Sequence, residues 1–129
     1  MEEFKMKETI NAAQLSQLGP YSHVVKASGT TYYLSGQLGI DPETKEMGKD
    51  IVEQTQNAFK NIDILLKEAG LTKENIVKTL VLLKDINDFE AMNQIYGTYF
   101  TEDHPARSAF QVGALPAGGL IEIECIAVK

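Results

Sequence analysis

The sequence predicts an α+β fold: a mixed β-sheet with two helices on one face. Three observations carry that expectation. Helical spacing of apolar residues recurs over two stretches, about 50–69 and 88–100, each flanked by β-like runs. The run Ile76–Leu83 is apolar at both alternating positions, as a central strand covered on both sides requires. The 129 residues contain no repeat, low-complexity tract or linker, so residues 1–129 read as one domain able to bury about two-thirds of its unfolded surface.

In chain order, Val24-Val-Lys-Ala27 and Thr31-Tyr-Tyr-Leu-Ser35 flank the turn signal Ser28-Gly29, which predicts a β-hairpin. The first helix follows, with Ile51, Ala58, Phe59, Ile62, Leu65, Leu66 and Ala69 on its apolar face. Asp50 with Glu53 resembles a capping box, and Gly70 is placed to end the helix. After the central strand, Asn87 and Glu90 offer a second capping pair for a helix carrying Phe89, Met92, Ile95, Tyr96, Tyr99 and Phe100. Residues 108–112 and 120–128 read as the last two strands. The order is ββαβαββ, with room for a further N-terminal strand, and it places both helices over one sheet face. The other face of the central strand is too apolar to stand in water, which points to self-association.

Twelve basic against eighteen acidic residues give a net charge of −6, a poor match to a broad phosphate-binding surface. Nucleic acid is therefore an unlikely partner on composition. Apolar runs are far shorter than the roughly 20 residues of a membrane helix. The start, Met1 to Glu8, carries acids where a targeting peptide is basic, so a cytoplasmic protein is expected. The single cysteine, Cys125, excludes an intrachain disulfide and reads as a small buried hydrophobe. His23 and His104 lack metal-type spacing, and no motif asks for a metal.

The Gly-rich stretch 113–119 lacks both the P-loop ending and the dinucleotide fingerprint, and reads as a turn between strands. Ser35 has no nucleophile-elbow context. Arg107, after Pro105 and before a strand, could clamp an anion with its planar fork, although spacing alone favours an ordinary surface ion pair. Glu122 and Glu124 alternate onto one face of the last strand, opposite Ile121, Ile123, Cys125 and Ala127. They are either acid/base candidates among apolar neighbours or a solvated polar face.

The run Pro105-Ala-Arg-Ser-Ala-Phe-Gln-Val112, then Leu115-Pro116, then Ile121-Glu-Ile-Glu-Cys-Ile-Ala-Val128, closely resembles the C-terminal signature of the YjgF/Rid reactive-intermediate deaminases. Gly19-Pro20-Tyr21, Leu34-Ser-Gly-Gln37 and Asn87-Asp-Phe89 with Asn93 and Tyr96 agree with it in order along nearly the whole chain. The resemblance implies a chorismate-mutase-like homotrimer with sheets inward, helices outward and sites in the clefts between subunits. It implies hydrolysis of enamine/imine intermediates such as 2-iminopropanoate and 2-iminobutanoate to 2-oxo acids and ammonia, with no cofactor and no metal. Arg107 would hold the substrate carboxylate, and Glu122 would position or activate the attacking water. Tyr21, Asn93 and the backbone around Gly36 would line the cleft, the Ala109 amide would support the ligand, and Ser35 and Phe89, inside matching motifs, join the substrate-contact set. The family often carries Cys where this chain has Ala109; a backbone contact survives that change, a thiol contribution does not. The rival readings are a ribonuclease or translation inhibitor, which some relatives are described as, and a non-catalytic binder of small 2-oxo acids.

One geometric question follows. If the last two strands formed a simple hairpin around Ala117, Arg107 and Glu122 would be offset by about 15 Å along the strands, too far for one small substrate. Either those strands are not neighbours, or the site draws on two chains.

Overall fold

A computed structural model describes residues 6–129; residues 1–5, including the acidic Glu2 and Glu3 used in reading the amino terminus, lie outside the described residues. The elements are β1 (Lys7–Ile10), β2 (Val24–Ala27), β3 (Thr31–Leu38), α1 (Ile51–Glu68), β4 (Ile76–Leu83), α2 (Phe89–Tyr99), β5 (Ala106–Gln111) and β6 (Ile121–Val128). This is the expected order with one additional strand in front.

Helix α1 starts where Asp50 Oδ1 accepts the Glu53 amide at 2.8 Å, satisfying one of the free N–H groups of the first turn. It ends in a Schellman arrangement: Gly70, at φ +75°, donates to Lys67 O while Leu71 donates to Leu66 O. Helix α2 begins differently from the expectation. The Asn87/Glu90 pair is not its cap; a 3₁₀ turn, Ile86–Asp88, leads into it, and Asp85 caps that turn by accepting the Asn87 amide at 2.9 Å. The Asn87 amide, which Glu90 would serve in a capping box, is already taken by Asp85.

The main sheet has the order β3-β6-β4-β5, with β4 and β5 parallel and β6 antiparallel to both of its neighbours. The predicted hairpin between Val24–Ala27 and residues 31–35 does not form. Strand β2 pairs with β1 instead, in a separate two-stranded sheet, and β3 pairs with β6. Ser28-Gly29 is a corner between the two ladders: the Ser28 amide extends the first by bonding Met6 O, and Thr30 extends the second through Lys129. A Cβ on Gly29 would sit 2.8 Å from the Lys129 backbone, so only glycine fits where the ladders part.

The helix-side face is built from Ile76, Thr79, Val81 and Leu83 of β4 and Ile121, Ile123, Cys125 and Ala127 of β6, all buried against Phe59, Ile62, Leu66, Met92 and Tyr96. The predicted inward face of the last strand is the observed one. On the other face Leu80 and Leu82 are only partly covered, and Tyr33 and Phe110 are exposed.

Candidate active site

Arg107 sits on edge strand β5, directly after the turn that Pro105 closes. Its register partner is Thr79 on β4, so its side chain leaves on the helix side of the sheet. There the guanidinium carbon lies 4.7 Å from the Tyr96 ring centroid, 5.2 Å from Tyr21 and 5.5 Å from Phe89. Such distances give attraction between the cation and the ring faces. Arg107 Nη1 donates to Asn93 Oδ1 at 2.6 Å, and Asn93 in turn donates through Nδ2 to Leu18 O at 3.1 Å. Burial lowers the arginine's pKa, opposed by Tyr96 and Tyr21; a guanidinium remains charged through such shifts. Among the described residues, no carboxylate approaches it within ion-pair distance. A half-buried cation held by a neutral amide and aromatic rings has donors to spare, and a planar fork of that kind can pair with a carboxylate or phosphate.

The platform is held from below. Tyr96 OH and Thr79 Oγ1 lie 2.7 Å apart, both buried, and burial pushes the phenol pKa well above its usual range. Tyr96 is thus a neutral hydrogen-bonded plate. Its part in the site was not foreseen: it reads as core in the apolar stripe. The available signal is spacing, since Phe89, Asn93 and Tyr96 recur at i, i+4 and i+7 and so share one face of α2. Gly19 is the other unforeseen contributor. At φ +135° its backbone lies over Asn93 and Arg107, and an added Cβ would fall 2.7 Å from Asn93 Nδ2.

Glu122 belongs to a different neighbourhood. Its register partner on β4 is Leu82, which pairs with Phe110 on β5, so it projects from the face opposite the helices. Its carboxylate lies against Gly36, beside an open concavity of about 450 Å³ that also includes Leu38, Ile40 and Leu65. Strand β6 does not adjoin β5; β4 runs between them, which answers the open question about the last two strands. Through Thr79, Arg107 is level with Cys125, three positions along β6 from Glu122. At ordinary strand spacings the two backbone positions are ~14 Å apart, on opposite faces.

The predicted residues therefore fall into two groups. Arg107, Asn93, Tyr21 and Phe89 meet in one cluster, with Ala109 two residues farther along the same face of β5. Gly36 and Glu122 form the second group, and exposed Ser35 precedes Gly36 on β3. Cys125 is buried, and burial pushes its thiol up to about 12, consistent with a small core residue. Among the described residues there is no group of three or more potential metal ligands, and no helix is long and apolar enough to cross a membrane. A concavity of about 670 Å³ between α1 and α2 contains none of the predicted site residues.

The family model described as endoribonuclease L-PSP matches residues 11–129. The 2-iminobutanoate/2-iminopropanoate deaminase of Mus musculus is 49% identical over 113 residues, which span 87% of this chain and 83% of that protein. Among solved structures, RidA from the Antarctic bacterium Psychrobacter is 40% identical with a TM-score of 0.76, covering 98% of this chain and 100% of that one. A protein of the conserved Rid family from Yersinia pestis is 43% identical with a TM-score of 0.75, covering 95% of this chain and 99% of that one. With the fold, the motifs and these likenesses in agreement along the chain, the protein belongs to the YjgF/Rid family, the family described by the endoribonuclease L-PSP model.

Proposed function

We propose that the chain is a 2-iminobutanoate/2-iminopropanoate deaminase, hydrolysing small 2-imino acids to 2-oxo acids and ammonia, as the names of its relatives describe for them. The observation that carries this reading is the Arg107 guanidinium, half-buried among three rings and bonded to neutral Asn93. It supplies the planar fork that a 2-imino carboxylate needs. Bound there, the substrate presents its C=N carbon to water. A new C–O bond forms as the C=N π pair moves to nitrogen. Glu122 takes a proton from the attacking water and delivers it to nitrogen, giving a carbinolamine; it then relays the hydroxyl proton to the amine as the C–N bond breaks, so that ammonia leaves and the hydroxyl oxygen becomes the carbonyl of the 2-oxo acid.

Arg107 and Glu122 project from opposite faces of one sheet, so this mechanism draws Arg107 from one copy and Glu122 from a second. A closed homotrimer meets that need and covers Leu80, Leu82, Tyr33 and Phe110. The proposed setting is the cytoplasm, and the acidic balance weighs against an RNA substrate. The test is a coupled assay in which a threonine dehydratase generates 2-iminobutanoate and purified protein is added. Imine loss with matching 2-oxobutanoate formation, faster than in buffer, is expected. Unchanged imine lifetime at micromolar protein would overturn the reading.

A further inference from the structure

Residues 11–19 link β1 to Tyr21 without a single charged side chain, and they are exposed along their length. They are nevertheless held by hydrogen bonds that converge on His23. The Ala12 amide donates to His23 Nδ1 at 2.9 Å, and His23 Nε2 lies 3.2 Å from the Ser16 carbonyl. An amide can only donate and a carbonyl can only accept. The two bonds therefore fix the ring as neutral, with its proton on Nε2. The His23 amide donates to Asn11 Oδ1 at 2.9 Å, tying the start of the segment to the same residue.

The far end of the segment reaches the Arg107 cluster. Leu18 O accepts from Asn93 Nδ2, the Leu18 amide donates to Tyr21 OH at 3.1 Å, and Gly19 packs over Asn93 and Arg107. The His23 ring itself meets the Tyr21 ring edge-on, with centroids 6.1 Å apart.

We propose that His23 is a positioning residue for anion binding: in its neutral form it shapes residues 11–19, and through Leu18, Gly19 and Tyr21 it holds Asn93 and Arg107 ready for a carboxylate, so that protonating the ring loosens the site. This rests on the reading of Arg107 as the carboxylate clamp. Protonation turns Nδ1 from an acceptor into a donor facing another donor, and the Ala12 bond is lost. The surroundings offer little compensation. The segment has no carboxylate; β1 and β2 contribute Lys7, Glu8 and Lys26, with Glu8 opposite Lys26, and the β5 side brings His104 and Arg107.

The test titrates 2-oxobutanoate into the full chain by calorimetry between about pH 8 and pH 5, the span over which imidazoles ordinarily change charge. The wild-type Kd should rise about five-fold towards acid, the worth of one lost hydrogen bond. H23N offers a carbonyl oxygen near the Nδ1 position and cannot be protonated, so its Kd should stay flat. H23Q reaches towards Ser16 but gives Ala12 no acceptor, and should bind weakly at every pH. A flat wild-type Kd, parallel weakening of H23N, or H23Q binding like wild type overturns the proposal. Amide exchange of residues 11–19 is followed on the same unliganded proteins, and the wild type alone should lose protection in acid. If 2-oxobutanoate binds none of them, the clamp reading falls, and equal protection of wild type and H23N across pH would overturn the role of His23 by itself.

Discussion

The Glu122 carboxylate occupies the space where a side chain on Gly36 would begin: a Cβ built on Gly36 would lie 2.5 Å from Glu122 Oε1 and 2.9 Å from its Cδ. Gly36 is not in the left-handed region, so alanine is acceptable to the backbone and the conflict is with the glutamate alone. Gly36→Ala should push the carboxylate aside by a fraction of an ångström to an ångström. Misplacement on that scale costs up to about 10²-fold in turnover. Steady-state deamination should show a lowered kcat, with 2-oxobutanoate affinity retained. An unchanged kcat would mean that the pose of Glu122 is not used in the reaction.

Arg107→Lys and Glu122→Gln should fail in different ways. Lysine keeps the charge but loses the planar fork and its seat among Tyr21, Phe89 and Tyr96, so both KM and 2-oxobutanoate affinity should suffer. Glutamine keeps the shape of Glu122 and removes proton transfer, so kcat should fall about 10²–10⁴-fold with binding preserved. Near-normal KM in the lysine variant removes the clamp, and near-normal kcat in the glutamine variant removes the acid/base role.

Because the two residues face opposite sides of the sheet, the two inactive variants should rescue each other. Co-refolding Arg107→Lys with Glu122→Gln in equal amounts gives some sites an intact arginine from one copy and an intact glutamate from another. In a randomly mixed closed ring, about a quarter of the sites are restored. Activity returning to that level is the expected result. No activity above that of the separate variants would place both residues of each site in one chain.

Alkaline stability carries the mark of the core. The Cys125 thiol is pushed up to about 12 by burial, against an ordinary value of 9.0 for an exposed thiol in the unfolded chain. The folded protein therefore keeps this proton where the unfolded chain has lost it. Stability from this group is full below about pH 9 and declines as pH rises towards 12. Tyr96 and Tyr99 are raised too, chiefly by burial, and add to the decline at higher pH. Melting midpoints followed from pH 8 to pH 11 should fall more steeply for wild type than for Cys125→Ala. Parallel curves would show that the thiol is not the titrating group.

The helices, the central strand and the inward face of the last strand are legible in the amino-acid sequence. These are local or periodic properties: Asp50 and Gly70 mark the ends of α1, Phe89, Asn93 and Tyr96 share a face of α2, and Ile121, Ile123, Cys125 and Ala127 alternate along β6. Strand partnership is a property of the folded chain. Ser28-Gly29 looks the same whether it closes a hairpin or divides two ladders, because the choice depends on β6 and Lys129, some hundred residues away. The same long-range pairing inserts β6 between β3 and β4, separates Arg107 from Glu122 and turns them to opposite faces. Spacing along a chain fixes which residues share a face of one element; which elements become neighbours follows from burying those faces together, and that is set by the whole fold.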